Sequence, residues 1–454
     1  MGTGWHAWMW AVPLACFGRC LSRGVTMPDV IIACDHPDLH TGFATVGRAV
    51  AHGLRATGHW AVEYLPLSPD EPLDSSVLTA NPPNRADGRR RTLLCIGSPR
   101  QQTRLLDTLD GERLRPLVHV VSYLAVDHAP VSPLLGRLYD RLNTIVPYTR
   151  FAAEALRRAF PEISPRLAAP IPHGIDVDLF GASDFAERRA TRMRVFGVTD
   201  DRTMVIGFFG RNVGHKHPEL ALRIFEAFAH GHFGRCLHCM RVTPFDRDPI
   251  DGSARVRSSC AHCGKDGLSR VDVPDSRLYL HTESGAEHAG YRNGVWNLHR
   301  LARHLDIQSH IVLDRSLLPG LGVDAAELVR RMGACDIHLL SSDAGGWELT
   351  VLETAACGVP NVITDVGGAP EYARPFSEVV APSVRALQPD RSHAHMDIGA
   401  AIDALLRLTT DPVRRAAMGQ IAVATARHYR WSNIIPLWDR VLRHSTPGTA
   451  ATDD

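Results

Sequence analysis

The stretch of sequence that decides the fold runs from residue 336 to residue 373 and reads DIHLLSSDAGGWELTVLETAACGVPNVITDVGGAPEYA. A short apolar run ends at Leu340, and a loop of Ser, Asp, Ala and Gly residues follows it. A helical pattern then begins near Leu349 and stops at Gly358, ahead of Pro360. Glycine favours the position after a helix and proline cannot continue one. This order predicts a buried strand, a loop and a helix, which is the repeating unit of a parallel α/β sheet.

The same alternation extends through most of the chain. Short apolar runs predict strands at 30–34, 93–97, 117–122, 204–209, 278–281, 310–313, 336–340 and 362–364. Amphipathic stretches predict helices near 45–57, 100–109, 149–159 and 218–230. A segment that contains Pro and Gly, IPHGIDVDLF at 171–180, separates the two groups of strands. The sequence therefore predicts an α/β protein with two doubly wound, Rossmann-like domains.

The length and net charge of the chain limit the number of domains and the classes of partner. The chain has 454 residues, enough for two or three domains. Its 50 basic and 49 acidic residues give a net charge of +1, so no overall field holds it on nucleic acid or on an anionic membrane. The apolar stretch at 7–17 is too short to span a bilayer and has no Lys or Arg before it. We expect a cytoplasmic protein without stable membrane insertion, although a secretory signal stays an alternative.

The predicted domains follow from these boundaries. Residues 1–26 precede Met27 and are interpreted as an N-terminal extension. One Rossmann-like domain is predicted over 27–175 and a second one over 176–425. A terminal helix at 426–445 is predicted to return to the first domain, before a disordered tail at 446–454. About fifty residues separate the helix near 218–230 from the next strand, where a few residues would suffice, and this predicts an inserted module at about 232–270.

The inserted segment contains two C-x-x-C pairs, with twenty residues between them. Their four thiols, at Cys236, Cys239, Cys260 and Cys263, have the spacing of a tetrahedral structural zinc site. The neighbouring His238 and His262 are alternative ligands, and two coincidental pairs are the simplest other explanation. The remaining six cysteines lie among apolar neighbours and are interpreted as buried small side chains in a reducing compartment.

Two segments of the second half have the character of an anion site. In FFGRNVGHKHPELAL at 208–222, a strand enters a loop with two cations and no acidic partner. Arg211 and Lys216 could bracket a pyrophosphate there. The start of the helix near Leu349 presents amide groups and the positive end of the helix dipole, and Glu353 lies one turn further on, where it could accept hydrogen bonds from ribose hydroxyls. A nucleotide diphosphate fits this arrangement, while ordinary solvated turns are the alternative.

In the first half, polar residues follow two predicted strands. The Thr41–Gly42 turn opens a helix, with His36, His40 and Arg48 nearby as polar candidates. The segment VVSYLAVDHAP is predicted to place Tyr123, Asp127 and His128 beyond the carboxyl end of a strand, where open α/β sheets keep their active sites. Asp127 is the first candidate for a functional side chain there, and His128 is the second.

These motifs resemble those of glycosyltransferase family 4, the retaining group 1 enzymes of the GT-B fold. The string GGWELTVLETAACGVPNVITDVGGAPEYA is similar to the donor-site signature of that family, whose usual form is close to EGFGLTVLEAMACGVPVVATDVGGIPEYV. The 208–222 segment resembles its second donor motif, and IPHGIDVDLF its interdomain segment. The resemblance covers most of residues 27–440. It implies two Rossmann-like domains facing across a cleft, an acceptor-side domain over 27–175 and a nucleotide-sugar donor domain over 176–425, the second interrupted by a zinc-ribbon-like module. It also implies sugar transfer from a nucleotide diphosphate donor, with retention and without a catalytic metal.

The resemblance assigns roles to individual residues. Arg211 and Lys216 match the phosphate-binding pair, and Glu353 matches the second Glu of a Glu-x7-Glu motif. The position of the first Glu holds Gly345, and Asp343 and Glu348 are the candidates to replace it. The implied catalytic residues are Asp127, His128, Arg211 and Lys216. The implied donor site comprises Gly42, Arg211, Lys216, Gly345, Gly346, Trp347, Glu348, Leu349, Thr350 and Glu353, with the amides of Gly346 to Leu349 available to phosphate.

Two other functions stay open from the sequence. The loss of a Glu at Gly345 is compatible with a catalytically impaired nucleotide-sugar-binding or interaction protein. The basic residues around the cysteine pairs are compatible with a nucleic-acid-associated zinc ribbon, although nucleic acid is not the expected partner. The acceptor, whether sugar, lipid or protein, is not specified by the sequence.

Overall fold

The computed structural model describes residues 29–39, 41–67, 91–112, 114–115, 118–247, 254–283, 296–314, 323–387 and 392–445. The predictions for residues 1–26, for His40 and for the tail at 446–454 lie outside this part of the chain. Within the described residues, no helix has both the length and the apolar character needed to cross a membrane.

The first domain is a five-stranded parallel sheet in the order β2-β1-β3-β4-β5. Every residue of β1 and β3 is buried, as expected for central strands covered on both faces. The strands are β1 (Val30–Asp35), β2 (Val62–Leu67), β3 (Arg91–Ile96), β4 (Val118–Leu124) and β5 (Thr144–Pro147). The helices are α1 (Gly42–Ala56), α2 (Pro99–Gly111), α3 (Gly136–Tyr139) and α4 (Arg150–Ala159).

The second domain begins after the linker and is interrupted by a small module. Helix α5 (Phe185–Thr191), strand β6 (Met204–Phe209) and helix α6 (Pro218–Ala229) precede the module. The module contains β7 (Phe233–Cys236), β8 (Val242–Pro244), β9 (Asp246–Arg247), β10 (Ala254–Arg255) and β11 (Leu268–Ser269). Its strands pair as β11-β7-β8 and β10-β9, separately from the two large sheets.

The remainder of the second domain completes a six-stranded parallel sheet in the order β13-β12-β6-β14-β15-β16. Counted within this domain the order is 3-2-1-4-5-6, that of a Rossmann fold. The strands are β12 (Ser276–His281), β13 (Ile311–Leu313), β14 (Ile337–Leu340), β15 (Asn361–Thr364), β16 (Ser377–Val380) and the hairpin β17 (Pro382–Leu387) and β18 (Ser392–Met396). The helices are α7 (Leu298–His304), α8 (Ala325–Ala334), α9 (Leu349–Ala356), α10 (Ala369–Ala373), α11 (Ile398–Thr410), α12 (Pro412–His428) and α13 (Trp431–Ser445).

The last helix, α13, packs on the first domain. Ile434, Ile435, Trp438 and Leu442 share a buried cluster with residues of β1, α1 and β4. Gly53 makes this contact possible, because a Cβ on Gly53 would lie 2.3 Å from the side chain of Ile435. The chain therefore crosses between the domains twice. The boundaries 27–175 and 176–425 stay a prediction.

The inserted module is anchored in the core of the second domain. Phe233 and Val242 belong to the main buried cluster of that domain. Arg235 Nη2 lies 2.7 Å from Asp403 Oδ1 on α11. A Cβ on Gly399 would lie 2.6 Å from the Val242 carbonyl, so α11 and β8 are in close contact. The module is therefore packed directly against the core of the second domain.

Within the two large parallel sheets, the strands that the sequence did not predict are β2, β5 and β16. All three lie at an edge of their sheet. Edge strands are short and need not be uniformly apolar, and β2 contains Pro66 as well as half-buried residues.

The predicted position of Tyr123 was wrong. Tyr123 lies within β4 and is fully buried, instead of following the strand. Its hydroxyl donates to the Ile171 carbonyl at 2.8 Å, so it is a core residue.

Candidate donor site and active site

The two domains touch through Asp127, which follows β4, and the glycine loop that precedes α9. The Gly346 amide donates to Asp127 Oδ1 at 2.8 Å, and the Gly345 amide donates to the Asp127 carbonyl at 3.1 Å. A second contact is made by Glu371, whose carboxylate accepts from the Arg150 and Phe151 amides at 3.2 and 3.0 Å. The first turn of α4 is thus capped by a residue of the other domain.

Glycines allow this close approach. The Gly368 amide donates to the Gly345 carbonyl at 2.9 Å. A Cβ on Gly367 would lie 2.2 Å from the same carbonyl, and Gly367 has a φ of 64°, a region that glycine occupies without strain. The expectation that the Gly346 amide is available to phosphate is wrong for this arrangement, because Asp127 accepts its hydrogen bond.

Lys216 forms an ion pair with Glu348. The ammonium nitrogen lies 2.6 and 2.5 Å from the two carboxylate oxygens, and both side chains are largely buried. The expectation that the loop has no acidic partner is therefore wrong. The partner comes from a position 132 residues further along the chain, at the start of α9.

The Glu348 carboxylate occupies the space beside Gly345. A Cβ built on Gly345 would lie 2.2 Å from Glu348 Oε1. Asp343, the other candidate, instead faces His217, with Oδ2 3.1 Å from Nε2. Of the two carboxylates weighed from the sequence, Glu348 is the one that lies where a side chain at position 345 would extend.

His215 lies among the charged groups of the site. Desolvation and the neighbouring Lys216 lower the pKa of His215 to about 4, with Arg211 contributing in the same direction. Asp127 and Asp343 act on this pKa in the opposite direction. The imidazole is neutral at pH 7. Arg211 itself has an exposed side chain at the rim of the loop.

His217 fixes the loop that carries Lys216. It has left-handed backbone angles, φ 49° and ψ 52°, at the start of α6. Burial alone lowers the pKa of His217, but hydrogen bonds to Asp343 and Glu219 outweigh burial and raise the pKa to about 9. The resulting imidazolium links the two carboxylates, with Nδ1 2.6 Å from Glu219 Oε1. Ser341 Oγ donates to the His217 carbonyl at 2.7 Å, which ties the loop to the end of β14.

Gly42 brings a second helix start to the site. A Cβ on Gly42 would lie 3.3 Å from Leu349 Cδ1, so the first residues of α1 and α9 are neighbours. Each helix start carries a partial positive charge and unpaired amides. Thr350 is half-buried in the same turn as Leu349. The convergence of two helix starts beside Lys216 favours an anion at this point.

Glu353 lies one turn into α9 and is half-buried. Desolvation raises the pKa of Glu353 to about 7. Among the described residues, none forms a hydrogen bond with its carboxyl group. The carboxylate is therefore available to a ligand.

This pKa predicts a pH dependence of nucleotide binding. An ionised carboxylate accepts hydrogen bonds from both hydroxyls of a ribose, whereas the protonated form accepts less well. Because the pKa of Glu353 is about 7, the carboxyl group loses its proton as the pH rises through 7. We expect the affinity for UDP or GDP, measured by titration calorimetry, to increase about fivefold from pH 6 to pH 8. Glu353→Gln should flatten this dependence, and an unchanged slope in that variant would exclude Glu353 as its source.

Trp347 packs beneath the site instead of extending into it. Its ring stacks on Tyr372, with centroids 4.2 Å apart and an angle of 20°. His173 and Tyr429 pack against its edges at 5.6 and 5.5 Å. The Tyr372 hydroxyl donates to the Glu348 carbonyl at 2.7 Å. This aromatic group supports the start of α9 and joins the linker to the second domain.

The acceptor side contains polar residues that sequence reasoning missed. Asp35, at the end of β1, accepts from Thr41 Oγ1 at 2.5 Å and from Gln101 Nε2 at 2.6 Å. A carboxylate directly after the predicted strand at 30–34 is the signal that would have identified Asp35.

His128 is half-buried beside Asp127. Arg48 is instead engaged locally, because it donates to the Leu39 carbonyl at 3.2 Å and thereby holds the loop that contains His36.

The Asp127 contact leads to a kinetic prediction for the sugar transfer that the motifs imply. Asp127→Ala removes the acceptor of the Gly346 amide, so we expect kcat for that transfer to decrease about tenfold. The dissociation constant for UDP, tested as a nucleotide that would bind the second domain, should change less than twofold. Asp201→Ala, an exposed aspartate before β6, is the matched control. A kcat equal to that of the wild type in Asp127→Ala would contradict a role for this contact.

The four cysteines of the module converge. Their sulfur atoms all lie within 4.8 Å of one another, with 3.6 Å between Cys236 and Cys263 and 3.6 Å between Cys239 and Cys260. The amides of His238 and His262 donate to the sulfurs of Cys236 and Cys260 at 3.4 and 3.3 Å. The two imidazoles contact backbone carbonyls instead, at 3.0 and 3.2 Å. The donor set is therefore four thiols in two tight turns.

Part of this chain is similar in sequence to known glycosyltransferases. Residues 301–407 match the family model described as Glycosyl transferases group 1. A D-inositol 3-phosphate glycosyltransferase from Stackebrandtia nassauensis is 28% identical over 291 residues, which cover 64% of this chain and 52% of that protein. The chain thus spans about half the length of this curated relative. Both findings support a similarity to group 1 glycosyltransferases.

Solved structures show the same fold over nearly the whole chain. The Anabaena protein Alr3699/HepE in complex with UDP has 15% identity and a TM-score of 0.58, covering 92% of this chain and all of that one. A sucrose-phosphate synthase from Thermosynechococcus elongatus has 14% identity and a TM-score of 0.61, covering 91% and 98%. The predicted GT-B architecture, two Rossmann-like domains with a cleft between them, is confirmed. The roles of the individual residues stay predictions.

Proposed function

We propose that this chain is a group 1 glycosyltransferase that transfers a sugar from a nucleotide diphosphate donor to an acceptor, with retention and without a catalytic metal. One observation carries the proposal. The starts of α1 and α9 meet at Gly42 and Leu349, directly beside the Lys216–Glu348 pair. A diphosphate is the ligand whose charge and size suit two helix starts and an ammonium group.

The donor would bind along α9. The ribose hydroxyls would donate to Glu353, whose carboxyl group has no hydrogen-bond partner among the described residues. The diphosphate would lie at the start of the helix and draw Lys216 toward its oxygens, while Arg211 approaches from the rim. Glu348 would then contact the donor sugar, in place of the carboxylate that the family motif has at position 345. Support for this role is the position of the Glu348 carboxylate, which fills the space of a side chain at Gly345.

The chemistry follows from charge development on the leaving group. As the bond between the sugar and the diphosphate breaks, negative charge accumulates on the diphosphate oxygens. Lys216, Arg211 and the helix starts stabilise this charge more strongly than the charge of the intact donor, and this difference lowers the barrier. The acceptor hydroxyl attacks from the face that the diphosphate leaves and gives its proton to a departing diphosphate oxygen, so the new bond forms with retention. Asp127 and His128, on the opposite domain, would orient the acceptor.

The module would bind one structural zinc ion. Four thiols within 4.8 Å of one another in two tight turns match the ligand number and type of a closed tetrahedral site. Zinc bound there would hold the two turns together and would contribute to folding instead of catalysis. A cytoplasmic location is part of the same proposal.

The experiment is a donor screen with two readouts. Titration calorimetry with UDP and GDP measures binding, and release of the free nucleotide from UDP-sugars and GDP-sugars measures turnover. We expect one nucleoside diphosphate to bind and its sugar conjugate to be hydrolysed slowly without acceptor. Failure of both to bind at millimolar concentration would contradict the proposal.

A catalytically impaired nucleotide-sugar-binding protein is the second candidate, favoured by Gly345. It predicts binding of UDP or GDP with no release of nucleotide from any sugar conjugate. The same screen separates the two candidates, because only the glycosyltransferase gives both signals.

A further inference from the structure

A second group of metal-ligating side chains lies outside the cysteine cluster, where α6 ends and the module begins. Glu226, His230 and His232 each direct one ligand atom to a common point, and these atoms all lie within 4.8 Å of one another. We propose that these three residues bind a divalent transition-metal ion, zinc by the chemistry of the donors, at a site separate from the four cysteines. This proposal does not depend on the transferase activity.

The local sequence places the three side chains together. Glu226 and His230 are four residues apart at the end of α6, so they lie on the same face of the helix. Gly231 then adopts a φ of 64°, which reverses the chain after the helix. The His232 amide donates to the Ala227 carbonyl at 2.8 Å, and this bond returns His232 to the last helical turn. The reversal at Gly231 is therefore what brings a second imidazole to the same carboxylate.

The distances suit an ion after small side-chain rotations. Glu226 Oε1 lies 2.5 Å from His232 Nδ1 and 3.6 Å from His230 Nδ1. Ligands about 2.0–2.1 Å from a tetrahedral zinc ion are about 3.3 Å apart. The shorter separation would widen and the longer one would contract by less than about 1 Å, within the reach of χ rotations of the Glu and His side chains.

The three side chains differ in their exposure to solvent. The Glu226 side chain is 3% exposed, whereas those of His230 and His232 are 23% and 32% exposed. Buried carboxylates in proteins are commonly paired or coordinate a metal ion. The partly exposed imidazoles give an ion a route of entry to the carboxylate.

His310 is the candidate for a fourth ligand. Its ring centroid lies 5.6 Å from that of His230, at an angle of 83°. Ser309 Oγ contacts His310 Nδ1 at 3.1 Å, so Nε2 is the nitrogen that would coordinate. A set of imidazoles with one carboxylate suits zinc, whereas calcium and magnesium prefer oxygen ligands.

An ion at this site would join three elements. Glu226 and His230 belong to the end of α6, His232 directly precedes β7 of the module, and His310 directly precedes β13. The metal would therefore fix the base of the module to the edge of the donor-domain sheet. Zinc at the four cysteines would stabilise the module itself, while a metal ion at Glu226, His230 and His232 would stabilise its contact with the second domain.

The test is the zinc stoichiometry of the full chain. Protein equilibrated with buffered Zn²⁺ is separated from free metal, and zinc is measured by plasma mass spectrometry. We expect two zinc ions per wild-type chain and one per chain in His232→Gln and in Glu226→Gln. His304→Gln, a change at an exposed histidine of α7, should retain two. One zinc ion in the wild type would overturn the proposal, as would two in His232→Gln.

Cobalt identifies which site is lost, even if a variant is partly destabilised. Thiolate ligands give Co²⁺ an intense near-ultraviolet charge-transfer band, and nitrogen and oxygen ligands do not. Wild-type protein is titrated with two equivalents of Co²⁺. One equivalent should produce the charge-transfer band of the cysteine site. The other should produce only visible absorption, from Co²⁺ bound at Glu226, His230 and His232. His232→Gln should keep the charge-transfer band and lose the visible absorption that appears without that band. If the variant instead loses the charge-transfer band and keeps that visible absorption, His232 is not a ligand of the second site.

Discussion

Lys216→Ala is expected to reduce turnover of the nucleotide-sugar donor by about 100-fold to 1000-fold, the range found when one stabilising group for developing negative charge is removed. The ammonium group is paired with Glu348, directly before the start of α9 that would receive the diphosphate. Without it, the leaving group would lose a full positive charge. Release of nucleotide from the donor that binds best, measured under steady-state conditions, gives the ratio of kcat/KM.

The chain offers a matched control for this change. It contains only two lysines, and the other, Lys265, is exposed on the cysteine module. Lys265→Ala makes the same change in charge and should leave turnover unchanged. A Lys216→Ala enzyme within threefold of the wild type would contradict the role of Lys216.

Loss of Lys216 also leaves a buried carboxylate without its partner. Glu348 is 6% exposed, and an unpaired group of this kind lowers the free energy of unfolding by about 1–3 kcal/mol. The double variant Lys216→Ala/Glu348→Gln removes that charge. It should recover stability in thermal unfolding, which would assign the destabilisation of Lys216→Ala to the unpaired Glu348 carboxylate.

Cys260→Ser is expected to remove zinc from the cysteine cluster and to lower the free energy of unfolding by at least about 4 kcal/mol, because structural zinc contributes directly to folding. The effect should extend beyond the module, since Phe233 and Val242 belong to the main core of the donor domain. Zinc content by mass spectrometry and thermal unfolding by circular dichroism provide the measurements.

Cys357→Ser is the control for the loss of a thiol. Cys357 is buried at the end of α9, away from the cluster. Its substitution should retain the full zinc content and should cost less stability than Cys260→Ser. Unchanged zinc content and melting temperature in Cys260→Ser would exclude a zinc role for the cluster.

Much of the fold could be predicted from the sequence because its central strands are continuous apolar runs. MVIGFF at 204–209 was predicted with the bounds that the structure has. The stop of α9 was also readable, since Gly358 follows the helix with a φ of 78°, which glycine tolerates. The edge strands β2, β5 and β16 carry weaker patterns because one side of each has no neighbouring strand.

The candidate site was only partly predictable because its contacts join distant segments. Local patterns identified Lys216 and Glu353, each of which follows a recognisable strand or helix start. The pairing of Lys216 with Glu348 depends on how two loops meet, and no local spacing encodes it. The same holds for the Gly346 amide, which is engaged by Asp127 from the other domain.

The central claim is that the starts of α1 and α9, with Lys216, hold a nucleotide diphosphate. A crystal structure of the chain soaked with UDP, or with GDP if that binds better, tests it most directly. We predict that the diphosphate lies at Leu349 within hydrogen-bonding distance of Lys216 Nζ, with the ribose hydroxyls on Glu353. A nucleotide bound elsewhere, with the Lys216–Glu348 pair intact and Glu353 without a ligand, would contradict the account.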